Sequence, residues 1–159
     1  MAMLEVGQIA PDFELPDLDG KPRSLRQILS AGPALLAFFK ISCPVCQFTF
    51  PFLERLYRGG DDRAPQLIGI SQDDAESTVS FNQAFGVTFP VLLDTSSRNY
   101  PAGTAYRITN VPSLFLVEKD GRISQAAIGF VKAAMEDLGR VFGVAPFREG
   151  ETVPAIRPG

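Results

Sequence analysis

Apolar positions in this chain fall into two rhythms that alternate along it. Ala34-Leu35-Leu36-Ala37-Phe38-Phe39 is an unbroken apolar run bounded by turn signals, the pattern of a strand buried on both faces of a parallel sheet. Phe48, Phe52, Leu53, Leu56 and Tyr57 then recur at helical spacing before Gly59-Gly60, and Pro51 within that run predicts a kinked helix. Residues 66–71 read as the next strand, and Asp73-Asp74 can cap a helix that reaches Phe85 and stops at Gly86. Residues 90–93 read as a short extended segment and 96–106 as a short helix around Pro101. Two strands, 113–118 and 122–128, are joined by Lys119-Asp120-Gly121 as a hairpin, and 133–142 closes the domain as a helix. Upstream, residues 11–15 alternate and 17–22 supply turn residues. Ser24 caps a short helix over Leu25, Ile28 and Leu29, ended by Gly32-Pro33. The order predicts an α/β domain whose mixed central sheet carries helices on both faces.

The 159 residues suit one domain over 1–143. The tail, 144–159, carries Pro146, Pro154 and Pro158 and reads as a loose end. Fifteen Lys and Arg against eighteen Asp and Glu leave a net charge of −3, which argues against nucleic-acid binding. No transmembrane helix is visible. The start lacks a basic region followed by an apolar one, so the expected location is cytoplasmic; a leader ahead of Met1 would make the protein an exported one. The chain has no His, which removes Ser-His-Asp and Cys-His catalysis.

Cys43-Pro44-Val45-Cys46 follows the apolar strand and opens the next helix. Unpaired amides and the positive dipole end favour a thiolate at Cys43. Pro44 suits the first helical position, where it needs no donor. Cys46, one turn in, is expected to be more buried and poised to attack a mixed disulfide formed at Cys43. Lys40, three residues before Cys43, can add positive charge. Two bland alternatives stand beside this one. Half of a zinc site would need two further ligands from carboxylates or a second chain, and two inert core cysteines would need no activating position. A second element, Val111-Pro112, precedes a strand. A cis bond there would set the Val111 backbone beside Cys43 and offer its polar groups to an extended substrate.

In these motifs the chain resembles the thioredoxin superfamily, specifically the TlpA/ResA-like branch that shares the redoxin (AhpC/TSA) domain. The resemblance covers about residues 5–143. It includes Val6-Gly7-Gln8-Ile9-Ala10-Pro11-Asp12-Phe13, the dithiol, Phe89-Pro90-Val91-Leu92-Leu93-Asp94, Val111-Pro112 and Asp120-Gly121. It implies a thioredoxin-like three-layer sandwich. It also implies an attacking thiol at Cys43, a resolving thiol at Cys46 and a cis Pro112. No cofactor is implied beyond a redox-active Cys43–Cys46 disulfide. Three positions depart from the family. Ser42 replaces the aromatic before the first Cys, Thr49 replaces a Glu of many relatives, and Ala37 replaces the buried Asp of thioredoxins. Water, Thr49 or a more distant acid must then take the Cys46 proton.

Other candidates have plainer explanations. Asp73-Asp74-Ala75-Glu76 reads as a solvated helix start. Phe48 and Phe130 read as core, with an apolar docking surface beside the dithiol as the alternative. Arg98 and Arg107 read as exposed charges.

The leading functional reading is a thiol–disulfide oxidoreductase acting on a protein or small-molecule disulfide or dithiol, with an upstream thiol as electron donor. An AhpC/TSA-type peroxidase working through Cys43 is the alternative. Neither cysteine, however, has the Pro-x-x-x-Thr/Ser-x-x-Cys setting of peroxiredoxins. A redox-responsive binding module, lacking catalysis, is the third.

Overall fold

The structure is a computed structural model that describes residues 2–159. Strand β3 (Ala34–Phe39) is buried at every position. Its side chains alternate between two apolar clusters. Leu35, Ala37 and Phe39 enter one with Cys46, Phe50 and Leu53, while Leu36 and Phe38 enter the other with Ile28, Ala102 and Tyr106. That two-sided demand is why the run carries no polar residue.

The elements follow in chain order. β1 (Glu14–Pro16) and β2 (Pro22–Ser24) form a small antiparallel hairpin apart from the main sheet. Next come α1 (Leu25–Ser30), β3, α2 (Pro44–Gly59), β4 (Gln66–Ser71), α3 (Ala75–Phe85) and β5 (Val91–Leu93). α4 (Pro101–Ala105), β6 (Ser113–Val117), β7 (Ile123–Ile128), β8 (Phe130–Val131), α5 (Lys132–Phe142) and β9 (Ile156–Arg157) complete the chain. The main sheet has the order β5-β4-β3-β6-β7. β4 pairs parallel with both β3 and β5, and β6 pairs antiparallel with β3 and β7. α2, α3 and α5 supply the cluster on one face, α1 and α4 the cluster on the other. The mixed α/β sheet with helices on both faces is therefore as the sequence predicts.

Two local expectations need correction. The helix predicted over 96–106 is two pieces, a 3₁₀ turn at Ser96–Arg98 and α4. Asn99 and Tyr100, with φ of 59° and 46°, break it, and Pro101 starts afresh because it needs no donor. Pro51 lies inside α2, which continues on both sides of it from Pro44 to Gly59. The tail is not loose. Phe147 packs on Phe52 at 5.1 Å between ring centroids, Arg55 grips Glu151 with two 2.7 Å bonds, and β9 pairs with β8. Its apolar and charged residues find partners that spacing along the chain does not disclose.

Glu54 is a buried acid on α2 that ties this helix to the loop after α3. It accepts bonds from the Thr88 amide (2.8 Å), the Thr88 hydroxyl (2.5 Å) and Arg58 (2.6 Å). Burial opposes its ionisation, but the Thr88 bonds and Arg58 outweigh burial and hold the carboxyl below the usual range. A lowered folded pKa stabilises the fold above the unfolded value of about 4.3 and loses that contribution as pH falls through the folded value. Glu54→Ala is expected to cost about 1–3 kcal/mol at pH 7. The gap between variant and parent should narrow as urea melts are taken further below pH 4. A gap that stays constant to pH 2 would contradict this account.

Candidate active site

The antiparallel register of β6 on β3 sets Ser113 opposite Phe38. The residues before Ser113 therefore meet the residues after Phe39, which lead into the dithiol. The Val111–Pro112 bond is cis. The Cys43 thiol lies 3.4 Å from the Val111 carbonyl and accepts the Cys46 amide at 3.1 Å. Cys43 is the N-cap of α2 and Pro44 occupies the first turn, so the sulfur takes one of the amides that a helix start leaves unpaired. Both cysteines are free thiols, Cys43 half-buried and Cys46 fully buried.

Burial pushes the Cys46 thiol up, well above the ordinary range. Its contact with Cys43 pushes the same way and the negative charge of Asp73 adds a little, while the Lys40 backbone amide opposes them. Its surroundings explain the burial: Ala37, Phe39, Phe50 and Leu53 share its cluster. Ala37 contributes no ionisable group to this space. Thr49 is buried too, and its hydroxyl donates to the Val45 carbonyl at 2.7 Å; its proton is engaged within its own helix. Lys40 is exposed and lines, with Cys43, Gln72, Asn110 and Val111, a cavity of about 360 Å³. Arg98 and Arg107 are not among the residues lining it. Phe130 is core, and Phe48 meets it edge-on at 5.0 Å under the Arg157 guanidinium, 4.7 Å from the ring centroid. Neither ring forms an open docking face.

Sequence spacing does not reveal what holds the dithiol loop. Asp73 accepts the Ile41 amide at 2.8 Å, and Gln47 donates to the Ile41 carbonyl at 2.9 Å. Asp74, as expected, caps α3 through the Ser77 amide. The doubled acid was the available signal: a helix start needs one cap, which leaves the other carboxylate for a second task. Sequence spacing does not show what Asp94 holds either. Fully buried, it accepts the Ala102 and Gly103 amides at 2.8 and 2.7 Å. Burial raises its pKa, against the lowering effect of those amides and of Gln72. It fixes α4 to the end of β5, and so the path toward Val111.

A family model described as the AhpC/TSA family matches residues 6–126. The chain is 29% identical over 127 residues to the thiol-disulfide oxidoreductase ResA of Bacillus thuringiensis (strain Al Hakam), covering 79% of this chain and 71% of that protein. The thioredoxin domain of a thiol-disulfide oxidoreductase from Bacteroides vulgatus superposes with a TM-score of 0.76 at 21% identity, over 86% of this chain and 96% of that one. Peroxidoxin BcpB of Mycobacterium tuberculosis superposes with a TM-score of 0.72 at 21% identity, over 87% and 98%. These superpositions establish the thioredoxin-like fold.

The unequal exposure of the two thiols has a direct chemical consequence. Iodoacetamide at pH 7 should alkylate Cys43 at least about tenfold faster than Cys46, because only an accessible thiolate reacts. Cys46 should label appreciably only as pH rises into the alkaline range. Peptide mass mapping of a time course reads both rates, and equal labelling at pH 7 would contradict the geometry.

Proposed function

The chain belongs to the AhpC/TSA family, and from that premise we propose that it is a thiol–disulfide oxidoreductase with Cys43 as attacking and Cys46 as resolving thiol. The observation that carries this assignment is the half-buried Cys43 sulfur at the start of α2, beside the Val111 carbonyl and one turn from a fully buried partner. The Cys43 thiolate attacks one sulfur of a substrate disulfide, forming a mixed disulfide and releasing the other sulfur as a thiolate. The Cys46 thiolate then attacks the Cys43 sulfur. The Cys43–Cys46 disulfide forms and the second substrate thiolate leaves. Two electrons pass from the dithiol to the substrate, and the two thiol protons end on the released thiols. An upstream thiol returns the pair to its reduced form, and the reverse sequence oxidises a dithiol.

Each group supports a step. Cys43 is the only sulfur of the pair that a substrate reaches. The Val111 backbone orients the bound disulfide, and Pro112 holds that backbone against Cys43. Pro44 preserves the helix start without requiring a donor, and Lys40 adds positive charge at the cavity. Neither Thr49 nor Ala37 supplies a carboxylate to Cys46, so the second step draws its proton acceptor from water or from a more distant acid, and the rate of ring closure rises with pH. A cytoplasmic setting, in which a thiol pool keeps the pair reduced, fits the reductase direction.

Cys46→Ser should accumulate a mixed disulfide through Cys43 when the reduced variant meets a disulfide, whereas Cys43→Ser should accumulate none. Intact-mass analysis after acid quench reads both. The same reduced protein given hydrogen peroxide should lose thiols slower by orders of magnitude than with a disulfide. A faster peroxide reaction would replace this function with peroxidase chemistry.

A further inference from the structure

The C-terminal segment reaches the dithiol. β9 pairs antiparallel with β8, Phe130 against Arg157 and Val131 against Ile156, and the Lys132 amide donates to the Ala155 carbonyl at 2.9 Å. Beyond β9 the chain crosses Gly129 and lies on Val111. A Cβ on Gly129 would stand 2.6 Å from the Arg157 carbonyl oxygen, and a Cβ on Gly159 would stand 2.3 Å from the Val111 carbonyl oxygen. Both distances are shorter than any real Cβ contact, so two glycines permit this backbone-on-backbone approach. The Asn110 amide donates to the Gly159 carbonyl at 3.1 Å. Arg157 covers Phe48, on the first turns of α2, and the Arg55–Glu151 pair holds the segment further back.

The carbonyl under Gly159 is the one that faces the Cys43 thiol. An extended polypeptide docking by strand addition needs the backbone on that ground. Gly159 instead forms one wall of the cavity of about 360 Å³ that Cys43 opens into. A space of that volume suits a small molecule.

We propose that the segment 151–159 is a strap that sets substrate size: it admits small-molecule disulfides to Cys43 and excludes disulfides carried on folded or extended polypeptides. This proposal rests on the thiol–disulfide reading above. The reaction is two-electron exchange, in which the small disulfide is reduced to two thiols as the Cys43–Cys46 disulfide forms. A polypeptide disulfide reacts by the same exchange only after the strap leaves Val111.

The test compares the full chain with two strap-release variants. The first combines Arg157→Ala and Glu151→Ala, which removes the guanidinium from Phe48 and the carboxylate that Arg55 grips. The second, Arg157→Pro, strips β9 of that guanidinium and of a backbone donor. Oxidation of each reduced protein is followed by hydroxyethyl disulfide and by insulin, and hydrogen exchange at the Lys132 amide reports release of the strap.

The parent should react with hydroxyethyl disulfide well ahead of insulin. Release should raise the insulin rate by about tenfold or more, equivalent to about 1.4 kcal/mol, while the hydroxyethyl disulfide rate stays within about twofold. A parent that reduces insulin as fast as the small disulfide would overturn the proposal. So would an insulin rate unchanged in a variant whose Lys132 amide exchanges faster, or a rise shared equally by both substrates. If neither disulfide oxidises any of the proteins while peroxide does, the exchange chemistry itself fails and the strap proposal falls with it.

Discussion

The pairing of β6 with β3 is the constraint from which the site follows. Ser113 opposite Phe38 leaves no freedom in where Val111 and Pro112 lie relative to the loop after Phe39. A slip of one residue would turn every side chain of β6 to the other face, moving Leu114 and Leu116 out of one cluster and Phe115 out of the other. The apolar pattern therefore locks the register, and the register brings the Val111 carbonyl to 3.4 Å from the Cys43 thiol. Core packing and site geometry are here one requirement.

Polar contacts finish what the register begins. The short loop between β3 and α2 is held from two sides through Ile41, by Asp73 from the β4–α3 turn and by Gln47 from within α2. Asp94 does comparable work beneath α4, where its two amide bonds offset part of what burial costs a carboxylate. Each of these groups bonds to the backbone, Asp73 and Asp94 to amides and Gln47 to a carbonyl, so each fixes chain path more than it contributes chemistry. The thiols are thus held by rigid surroundings, with the amide of Cys46 directed at the sulfur of Cys43.

The second thiol shows the reverse economy. Where a carboxylate would ease ionisation through hydrogen bonding or proton exchange, Cys46 has Ala37, Phe39 and Phe50 around it. Burial then dominates, and the charge of Asp73 adds to the same direction. The pair is divided by position into one reachable sulfur and one protected sulfur, a division that exchange chemistry requires of any dithiol that attacks and then closes. The C-terminal segment extends the division outward, because it narrows the approach to the reachable member.

How much was legible along the chain depends on the range of the interaction. The apolar run 34–39 and the helical spacing after Cys46 reflect local periodicity, so the strand, the helix and the Cys43-Pro44-Val45-Cys46 helix start could be read directly. Val111-Pro112 was legible only through its resemblance to a family, since an X–Pro pair alone does not place a carbonyl beside a thiol. Asp73 passed for an ordinary helix-start acid because its partner, the Ile41 amide, lies 32 residues away. The tail misled for the same reason: three prolines look like an unstructured end until β8, Arg55 and Phe52 are in place to receive it. Short-range pattern and the helix start determined the elements and the identity of the reactive pair. Tertiary structure decided which groups surround that pair, because hydrogen bonds and packing between distant segments depend on a register that exists only once the sheet has formed.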